Sequence, residues 1–195
     1  QLHDLWPDWE APKRVLISAT WQRKIARRLA GAQPSVRVTI ARDEIRRIAD
    51  LTRTITDLYR QLAVLVKQHA PHLLAEKGLG VLLAAKLIGE IAGIDRFKTD
   101  AKLARMAGCA PIPVSSGRTD RHRLDRGGNR QLNHAIHMYA ICRIRHDPQT
   151  AVYIDKQRKA GKTNREAIRS LKRHLVRRLH RLLTDPSCIP STVCT

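Results

Sequence analysis

The residues best suited to chemistry lie in one stretch, Ala110-Pro-Ile-Pro-Val-Ser-Ser-Gly-Arg-Thr-Asp-Arg-His-Arg-Leu-Asp-Arg-Gly-Gly-Asn-Arg-Gln-Leu132. Its prolines exclude a helix or a central strand. Ser115 and Ser116 stand beside Gly117, and Arg118, Arg121, Arg123, Arg126 and Arg130 follow, with His122 among them. Arginine binds phosphate oxygens in bidentate fashion. A serine held near such a cluster can attack a phosphodiester whose charge the guanidinium groups neutralise. His122 or Asp120 could serve as the local base or be a spectator. The plainer alternative is a basic loop that only grips nucleic acid, since serine-glycine pairs are frequent in turns.

The rest of the composition agrees with a polyanionic partner. The 195 residues carry 37 Lys and Arg against 17 Asp and Glu, a formal charge of +20, spread along the chain rather than gathered in a tail. That is the footprint of DNA or RNA binding. One Phe, three Tyr and three Trp are too few for a base-stacking platform. No apolar run is long enough for a membrane span, so no membrane partner is expected and the reading is a cytoplasmic, nucleoid-associated bacterial protein. Cys109, Cys142, Cys188 and Cys194 form no CxxC pair, which argues against zinc and for free thiols. No metal ligands are assigned.

The elements that must position the basic stretch read as helices throughout, so the expected fold is all-α. Residues 1–39 read as a linker or the remnant of an upstream region, with a short basic helix within Arg14 to Leu29. Residues 40–70 read as a coiled-coil-like helix: Ile48, Leu51, Ile55, Leu58, Leu62 and Leu65 alternate at a and d spacing, a seam for homo-oligomerisation through 40–69. The alternative is an amphipathic helix packed on its own domain. Residues 71–184 read as one helical domain. Gly78-Leu79-Gly80 between two helical runs suggests a helix-hairpin-helix whose backbone faces a DNA phosphate, with Lys86 nearby; a plain αα-turn would use the glycines for the same steric reason. Thr99 or Asp100 caps a short helix, Asn129 initiates the next, Asp147-Pro148 another, and Thr163-x-x-Glu166 is a capping box. On the last helix Ile168, Leu171, Leu175, Leu179 and Leu182 form the inner face. Arg165, Arg169, Lys172, Arg173, Arg177 and Arg181 form an outer face expected to meet nucleic acid. Residues 185–195 read as a disordered tail.

Several motifs in this order carry a resemblance: Gly78-Leu-Gly80, Ala84-Ala-Lys-Leu-Ile-Gly-Glu-Ile91, Asp95-Arg-Phe97, Lys102-Leu-Ala104, Ala107-Gly-Cys-Ala-Pro111, Ser115-Ser-Gly117 and Arg126-Gly-Gly-Asn-Arg-Gln-Leu132. Over about residues 73–183 the chain resembles the C-terminal serine domain of the IS-one-ten type insertion-sequence transposases, the bridge-RNA-guided recombinases. The resemblance implies a serine nucleophile directly before glycine, which is Ser116, with Ser115 the alternative. It also implies a covalent link to a DNA 5′-phosphate, a noncoding guide RNA, and a RuvC-like half supplying acids for Mg²⁺. The opening residues hold no strand-borne acidic set, so the chain reads as a fragment or truncated product. No cofactor is expected in this chain, and activity is not expected without that half. The competing readings are a truncated non-catalytic nucleic-acid-binding module that associates with a full-length transposase, and a general helix-hairpin-helix accessory protein.

Overall fold

The computed structural model describes residues 2–9, 12, 14–116, 119–123, 125 and 127–185. They fall into two units, residues 1–61 and 62–195.

In the first unit, α1 (Leu2–Leu5) and a 3-10 turn (Val15–Ile17) precede α2 (Ala19–Ala30), which is followed by the start of α3 (Val36–His69). Ile25 and Leu29, one helical turn apart, bury against Ala41 and Ile45, with Trp6, Trp9 and Val15 packed around them. The Arg42 guanidinium donates from Nε and Nη2 to the Leu29 carbonyl at 3.0 and 2.8 Å, joining the Ala32 N–H that the same carbonyl accepts at 3.2 Å and tying the end of α2 to α3. Residues 1–39, read as a linker, thus contain a helix with its own apolar stripe and cap. The seam residues Leu51, Ile55, Leu58 and Leu65 of α3 are exposed, at 55, 66, 54 and 50%.

The second unit holds the end of α3, a single turn α4 (Pro71–Leu74), α5 (Val81–Ile91), α6 (Asp100–Met106), α7 (Arg130–His146), α8 (Pro148–Lys159) and α9 (Asn164–Thr184). Leu87, Leu103, Leu132, Ile136, Tyr139, Val176 and Leu179 make its core. The caps follow the sequence signals. Thr99 accepts from the Lys102 N–H, Asn129 from Gln131 and Leu132, and Thr163 and Glu166 close a reciprocal capping box. Among the described residues no helix is long and apolar enough to cross a membrane.

The serine-arginine stretch is not a plain loop. It forms an antiparallel ribbon of β1 (Ile112–Ser116) and β2 (Thr119–Arg123), Ser116 opposite Thr119 and Val114 opposite Arg121. Pro113 is tolerated in β1 because both strands of a two-stranded ribbon are edges. The all-α architecture otherwise stands. Gly117, Arg118, Leu124, Arg126 and residues 186–195, hence most of the expected tail, lie outside the described residues.

Candidate nucleic-acid interface

The ribbon is held at its root by two backbone segments in contact. A Cβ at Gly128 would stand 2.2 Å from the Gly108 nitrogen and 2.6 Å from its Cα. Gly108 itself adopts φ +59°, and the Asn129 N–H donates to the Met106 carbonyl at 2.6 Å. The Gly127-Gly128-Asn129 sequence therefore does two jobs. Asn129 caps α7, and Gly128 lets the returning chain lie against the turn that ends α6. The Asn129 amide also donates to Glu90 at 2.7 Å, tying α7 to α5.

Below this root lies a cavity of about 770 Å³. Its walls are the α6 exit from Gly108 to Pro111, Arg123 at the end of β2, the turn at Gly161 and Lys162, and the first half of α9. Four of the basic residues singled out from sequence meet there: Arg123, Arg169, Lys172 and Arg173. A cavity of about 850 Å³ in the first unit, lined by α2 and α3, contains none of them.

Lys172 corrects the sequence reading of α9. It is not on the exposed face; it is 7% exposed and its Nζ donates to Asn133 Oδ1 at 2.7 Å. The reason is the width of the stripe. α9 packs against α6, α7 and α8, so its buried positions are Ala167, Leu171, Lys172, Leu175, Val176 and Leu179, a broader band than a single seam. Burial lowers the Lys172 pKa from the usual lysine range and raises that of the neighbouring Cys109 thiol. Asn133 is fixed between them: its Nδ2 donates to the Ala107 carbonyl at 2.6 Å.

The remaining α9 cations are largely committed. Arg173 pairs with Asp100 at 2.6 Å and Arg177 with the same carboxylate at 3.5 Å; a hydrogen bond from Arg173 is the main reason the Asp100 pKa is lowered. Arg169 lies 3.8 Å from Glu166. Arg165, Arg177 and Arg181 remain exposed.

At the other end of the unit, Gly78 has φ +90°, and a Cβ there would come within 2.8 Å of Arg143 Cγ. The close approach that this glycine permits is to Arg143 of the same chain, whereas Gly80 faces open space. The helix before the turn is one turn long. Lys86 donates to Gln131 at 2.7 Å, beside exposed Arg130. The side chains of Ser115, Ser116, Arg121 and His122, and all of Arg118 and Arg126, lie outside the described residues. Sequence places these basic groups in three sets; among the described residues the structure brings Arg123, at the end of the ribbon, to α9 and Lys86 to the start of α7 beside Arg130.

Sequence reasoning missed the polar centre of the unit. Buried Glu76 accepts from Tyr139 Oη at 2.8 Å, from Arg143, and from Arg178 Nε at 2.8 Å. Arg143 also donates to Asp147 at 2.6 Å. These partners are 63, 67 and 102 residues from Glu76 in the chain, so no local spacing announces them. Among the described residues no three His, Cys, Asp or Glu side chains could hold a metal ion.

Comparison with known proteins agrees with the ordered motifs. Residues 70–155 match the model of the transposase IS116/IS110/IS902 family. The chain is 38% identical over 132 residues to the uncharacterized 43.6 kDa protein of insertion element IS110 of Streptomyces coelicolor, covering 66% of this chain and 32% of that relative. It is 31% identical over 140 residues to the uncharacterized 42 kDa protein of insertion element IS900 of Mycobacterium paratuberculosis, covering 71% and 34%. The chain spans about a third of the length of these curated relatives.

Proposed function

From the premise that residues 70–155 are a transposase domain of the IS116/IS110/IS902 family, we propose that this chain is the part of a DNA recombinase that binds DNA, together with a guide RNA, and supplies its serine nucleophile. The observation that carries the reading is the ribbon. It projects the Ser115-Ser116 backbone from a root at which Arg123 and three α9 cations line one cavity.

In this reading the Ser116 Oγ attacks a phosphodiester phosphorus. The Oγ–P bond forms and the P–O3′ bond breaks. The hydroxyl proton leaves to a base, and the departing 3′ oxygen takes up a proton to become a free 3′-hydroxyl. The DNA 5′-phosphate stays on the serine. Arginines of the stretch neutralise charge as it grows on the phosphoryl oxygens. Ser116 and Ser115 alternate along β1, so they occupy different register sets. Ser116 shares its set with the positions of Thr119, Arg121 and Arg123, and Ser115 shares its set with Asp120 and His122. The arginine-rich set favours Ser116. The exposed α3 seam supports self-association through 40–69, which would bring two nucleophiles to one exchange.

The test is denaturing electrophoresis of labelled DNA with the chain, a RuvC-like half, guide RNA and Mg²⁺. Ser116→Ala abolishes the covalent adduct and leaves DNA binding within about twofold, because a hydroxyl adds little to an interface dominated by phosphate charge. Ser115→Ala is milder. An adduct that survives Ser116→Ala but not Ser115→Ala moves the nucleophile by one residue. An adduct untouched by either leaves a module that only binds nucleic acid.

A further inference from the structure

The cavity at the root of the ribbon contains a buried cation without an anion. Among the described residues Lys172 meets no carboxylate; its hydrogen bond goes to the neutral Asn133 amide. Arg123, across the cavity, likewise pairs with no described carboxylate, and the Lys162 ammonium on the rim donates to the neutral Gln157 amide at 2.6 Å. The acids that line the same space have neighbours of their own, although Asp125 Oδ2 is buried without a hydrogen bond among the described residues. Asp125 accepts from the Gly127 N–H at 2.9 Å and lies 3.4 Å from Arg105, and Glu166 closes the capping box. Burying an ammonium group with only an amide for company is costly, and the cost is relieved when an anion enters. The direction of the Lys172 pKa shift reports the same desolvation.

We infer that this cavity is a seat for one phosphodiester group of a DNA strand, with Lys172 donating from inside and Arg123 from the end of the ribbon. The inference rests on the proposed DNA-binding function and gives the bound strand a fixed point. Lysine grips phosphate as a point charge, without the planar match that arginine needs, which suits a group approached from a cavity wall. Pro111 lines the cavity and Ser116 ends β1. Five residues at about 3.3 Å each set the serine about 16 Å along the ribbon, on the order of five nucleotides at 3.4 Å per strand step. The seated phosphate therefore registers the strand at a distance from the bond to be cut rather than taking part in cutting it.

Lys172→Met tests this, because methionine fills the site without a charge. Fluorescence anisotropy of a labelled DNA duplex is measured with the 195-residue chain across a potassium chloride series, alongside thermal melting. Lys172→Met weakens binding about tenfold, flattens log K against log salt by about 0.9 as one phosphate contact is lost, and melts at or above the wild-type temperature. Arg123→Ala flattens the slope similarly. A Lys172→Met protein that melts several degrees lower and keeps the wild-type slope overturns the seat, since the lysine then only supports the fold. Stabilisation of wild type by inorganic phosphate, lost in Lys172→Met while duplex binding is unchanged, overturns it in favour of a free-phosphate site. An effect confined to a labelled RNA duplex overturns the assignment to DNA. The serine chemistry fails separately: if Lys172→Met loses duplex affinity as described while no variant forms an adduct, the seat stands and the nucleophile does not. A wild-type chain with no duplex affinity at low salt overturns both.

Discussion

Glu76→Gln is the perturbation with the largest expected effect on the second unit. The Glu76 side chain is 4% exposed and meets two guanidinium groups of very different surroundings: Arg143 is 13% exposed, Arg178 56%. A glutamine can still accept from Tyr139, but its amide nitrogen would point a donor at a donor, and the buried negative charge is gone. Breaking a buried ion pair by removing one partner costs about 3–5 kcal/mol. Arg143 keeps Asp147 at 2.6 Å and Arg178 can turn to water, so the low end, about 3 kcal/mol, is expected. At about 2–4 °C per kcal/mol for a chain of this size, the melting temperature should fall by about 9 °C. Arg178→Ala, which removes only the exposed arm, should cost less than about 1 kcal/mol. Differential scanning calorimetry of the three proteins at neutral pH measures both. A drop below about 3 °C for Glu76→Gln, or equal drops for the two variants, would refute the view that the Glu76–Arg143 contact organises this core.

Two further outcomes follow from particular side chains. The Thr150 hydroxyl, followed by Arg143, holds the Asp147 carboxyl at about 2, below its ordinary 3.8. Because the folded value is the lower one, this stability is complete above about pH 4 and is lost as pH falls toward 2. Thr150→Val should shift the acid-unfolding midpoint, followed by circular dichroism, to higher pH, and an unchanged midpoint would mean that Asp147 does not contribute. On α3, Ile55→Asp with Leu58→Asp places charge on two half-exposed seam positions, each worth about 1 kcal/mol if buried by a second copy. Sedimentation velocity should show a smaller species than wild type; a wild type already monomeric at high concentration would assign the seam to something other than self-association.

Much of this chain was legible in its sequence because the signals are local. The stripe Leu171, Leu175 and Leu179, the Thr163–Glu166 box, the Asp147-Pro148 start and the Asn129 cap each depend on residues within one or two helical turns, and each appears where its spacing placed it. The ordered motifs from Gly78 to Leu132 likewise pointed to the transposase family that residues 70–155 match. Tertiary structure decided what depends on neighbours distant in the chain. A one-stripe reading put Lys172 on the surface; packing of α9 against three helices turned it inward to Asn133, 39 residues away. Gly78 looked like a place for backbone to approach a phosphate, but the approach is to Arg143. The serine-arginine stretch read as a loop because its prolines and arginines carry no alternating apolar signal, and it pairs as a ribbon because the Gly108–Gly128 contact brings its two ends together. Glu76 was invisible, since a buried acid is marked only by the partners that the fold carries to it. Periodicity is written in successive residues, whereas charge burial and backbone contact are settled by which helices meet.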